Sequence, residues 1–156
     1  MNSFNKHIAF LLLSFTCCCG GGVYAQERGA VFKHFTEGDG LLSNNIGAIY
    51  QDKQGYIWIT SQSGLQRFDG KRFKNYTANI RDTAALQSDW VSVVFEDSKN
   101  RMWVGTDHGA PYVLDRTTDK FYNFNLHTSK EHFVTGIMQF AEDKQGNIWM
   151  VATDGF

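Results

Sequence analysis

The sequence predicts an all-β protein built from repeated four-stranded antiparallel sheets, and three observations support this. One motif occurs three times, at residues 52–58, 97–103 and 143–149: an Asp, then a Gly or Asn three residues later, then a Trp after three more. The three tryptophans lie 45 and then 46 residues apart, a period found in β-propeller blades and in helical arrays. No apolar stripe with helical spacing occurs after residue 25, which argues against the helical arrays.

Each copy of the motif is expected to form the same hairpin turn. The Asp carboxylate accepts backbone N–H groups and so begins a turn. The fourth turn residue is Gly or Asn, the types that best tolerate a left-handed backbone. An apolar run lies on each side, so every copy predicts two antiparallel strands. The structural motif consists of Asp52, Gly55, Trp58, Asp97, Asn100, Trp103, Asp143, Gly146 and Trp149.

The first repeat, about residues 41–77, has the pattern of one complete blade. Residues 46–50 form a near-continuous apolar run, typical of a strand that is buried on both faces. The second strand follows the motif turn, and a third follows Gly64. Asp69-Gly70, a strong hairpin signal, then leads into a fourth strand at 72–77.

The second repeat, about residues 86–125, keeps this plan. Pro111 stands at the start of its third strand, where a missing N–H group does least harm. The four predicted strands are 91–95, 101–106, 111–115 and 121–125.

The third repeat, about residues 132–156, supplies only two predicted strands, at 136–140 and 147–152. Residues 31–36 resemble the last strand of each complete repeat, so we expect a strand there whose own blade lies elsewhere. The predicted fold is a partial β-propeller: an open arc of about two and a half repeats of four-stranded antiparallel blades plus one orphan N-terminal strand.

Residues 1–25 are predicted to be a secretory signal peptide. Lys6 precedes an apolar run at 8–19, and Val23 and Ala25 offer small residues for cleavage after Ala25. A retained anchor is one alternative, and lipidation at Cys17, Cys18 or Cys19 is another. Residues 26–156 contain no cysteine, which excludes disulfides and cysteine-based metal sites there. The predicted location is periplasmic or otherwise extracytoplasmic.

The first repeat also carries a family resemblance. The sequences GLLSNNI at 40–46, IWI at 57–59 and GLQRFDG at 64–70 resemble the two-component regulator propeller repeat. In that family the repeats form extracytoplasmic sensor propellers, usually followed by a transmembrane helix and a histidine kinase, and many such sensors bind oligosaccharides. The resemblance implies the N-terminal sensor part of a hybrid two-component sensor histidine kinase, without catalytic residues in this chain. The alternative is a stand-alone exported module that binds carbohydrate or protein and closes its ring by association of sister chains.

Other function classes find no support in the sequence. The formal net charge is −1 and no basic run with interleaved aromatics occurs, so we expect no nucleic-acid partner. The five histidines have no metal-ligand spacing, and no catalytic or phosphate-binding motif occurs. We therefore predict no metal, no cofactor and no enzymatic activity.

Trp90 is the aromatic residue that the blade plan does not require. It takes the place of Asn45 in the first repeat and of Gly136 in the third, just before the innermost strand. Its ring either stacks on a sugar or fills a gap between loops, whereas the motif tryptophans have the positions of core residues. The predicted ligand site on this face of the propeller consists of Trp90, Asn44, Asn45, Ser88, Asp89, Asp107 and His108.

Overall fold

The computed structural model describes residues 31–124 and 136–153. Within these ranges the chain forms ten strands and one short 3-10 helix at Glu37–Asp39. The strands are β1 (Ile46–Gln51), β2 (Ile57–Ser61), β3 (Gly64–Phe68), β4 (Phe73–Tyr76), β5 (Val91–Glu96), β6 (Met102–Thr106), β7 (Tyr112–Asp115), β8 (Lys120–Asn123), β9 (Ile137–Glu142) and β10 (Ile148–Ala152). All ten strands belong to one compact unit, the second of two along the chain, which begins at His34.

The strands form three antiparallel sheets in chain order. Strands β1–β4 make blade 1, β5–β8 make blade 2, and β9 with β10 makes the two-stranded blade 3. No sheet closes on itself among the described residues, so the predicted all-β partial propeller is confirmed. The described residues contain no helix of the length and apolarity needed to cross a membrane. The predicted signal peptide lies outside the described residues.

Each blade has two faces with different contacts. We call the face that carries the motif Trp the tryptophan face; in blade 1 it also carries Leu65 and Tyr76. The opposite face, which in blade 1 carries Ile49 and Ile59, is called the receiving face. Because side chains alternate along a strand, each strand contributes to both faces.

The tryptophan face of one blade packs on the receiving face of the next. Trp58 of blade 1 lies in one buried cluster with blade 2 residues that include Val94, Met102 and Phe121. Trp103 of blade 2 lies in a second cluster with Phe140 of blade 3. These two apolar junctions form the core of the second unit.

Hydrogen bonds repeat at both junctions. The carboxylate of Glu96, at the end of β5, accepts the backbone N–H of Lys53 at 2.8 Å. The carboxylate of Glu142, at the end of β9, accepts the backbone N–H of Ser98 at 2.7 Å. In each case the donor follows the motif Asp of the preceding blade, and we call this contact the polar latch.

Two expectations from the sequence are wrong. Residues 31–36 were expected to form a strand, but they have no regular secondary structure. Phe35 nevertheless packs edge-on against Phe73 at 5.6 Å between ring centroids, as Tyr76 packs on Phe121 at the same distance. Strand β1 is not buried on both faces: Ile49 is 67% exposed, since no described blade covers the receiving face of blade 1.

Candidate ligand site

The motif turns form one end of the blades. One carboxylate oxygen of each Asp accepts the backbone N–H groups of the second and fourth residues after it, at 2.8–3.0 Å. The other oxygen accepts the indole N–H of the motif Trp, at 2.8 Å from Trp58 and 2.9 Å from Trp103 and Trp149. The carboxylates thus hold the turns and fix the tryptophan rings.

These bonds also lower the pKa of two of the carboxyl groups. At Asp143 the hydrogen bond from Trp149, followed by those from Asn147, lowers the pKa to about 2. At Asp97 burial alone would raise the pKa, but the bonds donated by Trp103 and Arg101 hold it below its usual value. The described residues contain no group of three or more His, Cys, Asp or Glu side chains that could hold a metal ion.

The left-handed turn position recurs as the sequence predicts. The backbone φ angle is 90° at Gly55, 61° at Asn100 and 81° at Gly146. Asn100 and Asp119 are the non-glycine residues at positive φ in the described chain. Asn100 tolerates this conformation better than most residues, because Asn is enriched in the left-handed region.

The opposite end of the blades, here called the loop end, carries the predicted ligand residues. Trp90 lies directly before β5 and is 49% exposed. Its backbone N–H donates to Ser88 Oγ at 3.2 Å, and its carbonyl accepts the backbone N–H of Asp107 at 3.0 Å. The backbone at Trp90 is therefore fixed by hydrogen bonds through both its N–H and its carbonyl group.

Ser88, Asp107 and His108 form one hydrogen-bonded cluster beside Trp90. Ser88 Oγ donates to Asp107 Oδ1 at 2.6 Å, and His108 Nδ1 lies 2.7 Å from Asp107 Oδ2. Thr106 Oγ1 donates to the carbonyl of His108 at 2.7 Å and fixes the turn after β6. The His108 side chain is 79% exposed.

The other three predicted residues have different local partners. Asp89 Oδ1 accepts the backbone N–H of Ala78 at 2.6 Å and so holds the linker between blades 1 and 2. Asn44 Oδ1 accepts the backbone N–H of Glu37 at 3.1 Å, and Asn45 is exposed directly before β1. In the described structure the side chains of these three residues form no hydrogen bond with those of Ser88, Asp107 or His108.

The loops before β1 and β5 are nevertheless neighbours, because the two inner strands run side by side. A side chain at Gly47 would place its Cβ 3.8 Å from the carbonyl of Val91. Thr60 Oγ1 donates to the carbonyl of Ser92 at 3.4 Å across the same junction. The loop end therefore combines one exposed aromatic face with several polar groups, an arrangement that suits a small polar ligand.

The sequence analysis missed the residues that join the blades. Glu96 and Glu142 form the polar latches, and Arg116 places Nη1 3.4 Å from Asp52 and Nη2 2.9 Å from Glu96 across the first junction. A signal for the latches exists in the sequence: a Glu stands directly before the motif Asp in the second and third repeats.

The turns, the blade order and the exposed loop end define the class of this protein as a β-propeller built from tandem repeats. Residues 40–63 and 85–108 match the two component regulator propeller family. These two segments thus match the repeat of that family, and the resemblance seen in the sequence is confirmed. The matched segments are propeller repeats rather than kinase sequence.

Similar proteins give the same picture of the fold. Histidine kinase P4 of Formosa agariphila is 42% identical over 62 residues, which cover 40% of this chain and 4% of that protein. The extracellular domain of BT3049 from B. thetaiotaomicron, assigned to a hybrid two component system, has a TM-score of 0.66 at 20% identity. That match covers 76% of this chain and 17% of the solved chain.

A second solved relative is the extracellular domain of BT4673 from B. thetaiotaomicron. It is named as a one component system in one structure and as a hybrid two component system in another. Its TM-score is 0.60 at 24% identity, over 74% of this chain and 17% of that one. This chain therefore spans only a small part of each relative.

Proposed function

We propose that this chain is part of the extracytoplasmic sensing propeller of a hybrid two-component system. The observation that carries the proposal is the pair of two component regulator propeller repeats at 40–63 and 85–108. The identity with a histidine kinase over 62 residues supports the association with a kinase. The solved relatives of the same fold are extracellular domains, which supports an extracytoplasmic location.

The sensing surface in this proposal is the loop end, and its ligand is an oligosaccharide. The half-exposed ring of Trp90 offers an apolar platform for the C–H face of a sugar. Asp107 and His108 lie beside it and offer a carboxylate and a ring nitrogen to sugar hydroxyls. Asn45, exposed before β1, extends the polar surface toward blade 1.

Calorimetric titration of oligosaccharides into the full-length protein tests the ligand. Trp90→Ala should weaken binding by about 1–2 kcal/mol, the scale of one lost aromatic contact, with little change in melting temperature. Ile80→Ala is the matched control, because Ile80 is an exposed apolar residue in the linker before β5. Unchanged affinity, or a large loss of stability instead, would assign Trp90 a structural role.

The association with a kinase is tested separately at the gene. We expect the reading frame to continue beyond codon 156 through further motif copies and then into kinase sequence. A natural stop at that codon in the intact genome would contradict the sensor assignment, whatever the result of the titration.

A further inference from the structure

The hydrogen bonds of the loop end in blade 2 determine where the proton of Ser88 lies. The backbone N–H of Trp90 donates to Ser88 Oγ at 3.2 Å, so this oxygen is an acceptor in that bond. The hydroxyl group in turn donates to Asp107 Oδ1 at 2.6 Å. Because a hydroxyl group has a single proton, Ser88 has no proton left to donate to a ligand.

The second oxygen of Asp107 determines the tautomer of His108. Asp107 Oδ2 lies 2.7 Å from His108 Nδ1. An ionised carboxylate accepts hydrogen bonds and cannot donate them, so Nδ1 must carry the ring proton. In the neutral ring the other nitrogen, Nε2, is then a hydrogen-bond acceptor. Within the described part of the chain Nε2 forms no hydrogen bond, and the side chain is largely exposed.

Blade 1 has the serine turn of this cluster but not its charged part. Ser43 Oγ accepts the backbone N–H of Asn45 at 3.0 Å, as Ser88 Oγ accepts that of Trp90. The sequence after β2 is Gln-Ser, whereas the sequence after β6 is Asp-His. The serine turn is therefore common to the two complete blades, while the indole, the carboxylate and the imidazole occur together in blade 2.

We propose that the loop end selects a sugar hydroxyl by its proton, which the hydroxyl donates to His108 Nε2 while the oligosaccharide stacks on Trp90. This assignment rests on the proposed oligosaccharide ligand. Ser88 and Asp107 are positioning residues, because they hold the ring proton of His108 on Nδ1. The carbonyl of Trp90 accepts the backbone N–H of Asp107 at 3.0 Å, which keeps the indole and the imidazole at the same end of the blade.

Deoxyfluoro sugars test the direction of this hydrogen bond. Fluorine is close to a hydroxyl group in size but has no proton to donate. The probes are derivatives of the oligosaccharide that binds best in the calorimetric titrations, each with one hydroxyl replaced by fluorine. At one position the replacement should weaken binding to the full-length protein about tenfold or more, because His108 Nε2 would lose its donor.

Asp107→Asn should reverse the tautomer while keeping the shape of the side chain. The hydroxyl of Ser88 still donates to the amide oxygen, so the amide N–H faces His108 Nδ1 and the ring proton moves to Nε2. This variant should bind the sensitive fluoro derivative within about threefold of the parent sugar, because the fluorine no longer meets a lone pair. Steric exclusion of fluorine would leave the ratio unchanged from that of the wild type.

Ser88→Ala separates positioning from a general effect on folding. It should weaken binding of the parent sugar about five- to tenfold, and Ser88→Thr, which keeps the hydroxyl, should restore the affinity. Ser43→Ala is the matched structural control, because it removes the same turn bond in blade 1. The two alanine variants should lower the melting temperature to a similar extent.

Nitrogen-15 NMR of protein labelled at histidine determines the tautomer without a ligand. The signals of His108 are assigned by their loss in His108→Gln. In the neutral ring the proton should be on Nδ1 in the wild type and in Ser43→Ala, and on Nε2 in Asp107→Asn. Adding Ser88→Ala to Asp107→Asn allows the amide to rotate and should give both tautomers.

The outcomes distinguish this assignment from the proposed function. A wild-type ring with its proton on Nε2, or the same fluorine penalty in wild type and Asp107→Asn, overturns the assignment and leaves the oligosaccharide ligand in place. Failure of Ser88→Thr to restore affinity overturns the role of Ser88. Absence of binding by any oligosaccharide, or binding unaffected by Trp90→Ala, overturns the proposed ligand and this assignment with it, whichever tautomer is found.

Discussion

Trp103 and Trp149 occupy the same place in two copies of one motif, yet only one of them is buried. Both donate the indole N–H to their motif Asp at 2.9 Å. Trp103 is 3% exposed because Phe124 and Phe140 pack against it, whereas Trp149 is 62% exposed. The motif therefore determines the turn and the direction of the ring, and the neighbouring blade determines the burial.

The largest expected effect separates these two tryptophans. Trp103→Ala should lower the free energy of unfolding by about 3–5 kcal/mol, because it removes a large buried side chain and leaves a cavity. Trp149→Ala should cost less than about 1 kcal/mol, as expected for a largely exposed position. Urea unfolding of both variants measures the difference. Equal losses would mean that the exposed ring is covered in solution.

Substitutions two positions after each of these tryptophans should also differ in their effect on stability. Gly105 and Val151 each lie two residues beyond the motif Trp. A Cβ at Gly105 would lie 2.8 Å from side-chain atoms of both Ile137 and Val93, so Gly105→Ala should cost about 1–3 kcal/mol through overpacking.

Val151→Ala is the matched substitution on the open face and should change stability by about 0.5 kcal/mol or less. Thermal melts of both variants give the comparison. If Gly105→Ala melts with the wild type, the second junction is looser than the contacts of Gly105 indicate.

The motif turn offers a comparison that is independent of the neighbouring blades. Gly55→Val should destabilise by about 1 kcal/mol or more, because a β-branched residue fits poorly at a φ of 90°. A Cβ at Gly55 meets no atom within 4 Å, so the cost comes from the backbone alone. Asn100→Gly should be neutral or mildly stabilising. Similar shifts of both melting curves would show that the turns do not share one conformation.

What the sequence could predict was local. The hairpin turns, the two complete blades and the position of Trp90 follow from a pattern of a few residues repeated in register. The strand expected at 31–36 and the two-sided burial of β1 did not follow, because each requires a neighbouring strand or blade. An apolar run shows that a strand can be buried on both faces. Ile49 is nevertheless exposed, because burial also requires a neighbouring blade.

For the candidate site, too, the sequence predicted the positions of residues but not their contacts. The strand plan was enough to place Trp90, Ser88, Asp107 and His108 at one end of blade 2. Their hydrogen bonds depend on side-chain geometry that spacing alone does not determine. The same holds for Asp89, whose carboxylate binds the backbone of Ala78, 11 residues away in the chain.

The smallest expected effect concerns the two lysines of the latch position. Lys53 Nζ donates to the carbonyl of Asp97 at 2.8 Å and to Asn100 Oδ1 at 3.2 Å, across the first junction. Lys53→Met keeps the apolar stem but removes these bonds, so it should cost about 0.5–1 kcal/mol in urea unfolding, the net value of an ordinary hydrogen bond.

Lys144→Met makes the same change on the open face. It should leave the free energy of unfolding unchanged within about 0.5 kcal/mol, because no described blade packs against that face. Urea unfolding of both variants measures the difference. Equal losses of unfolding free energy for Lys53→Met and Lys144→Met in dilute solution would contradict the distinction between covered and open faces.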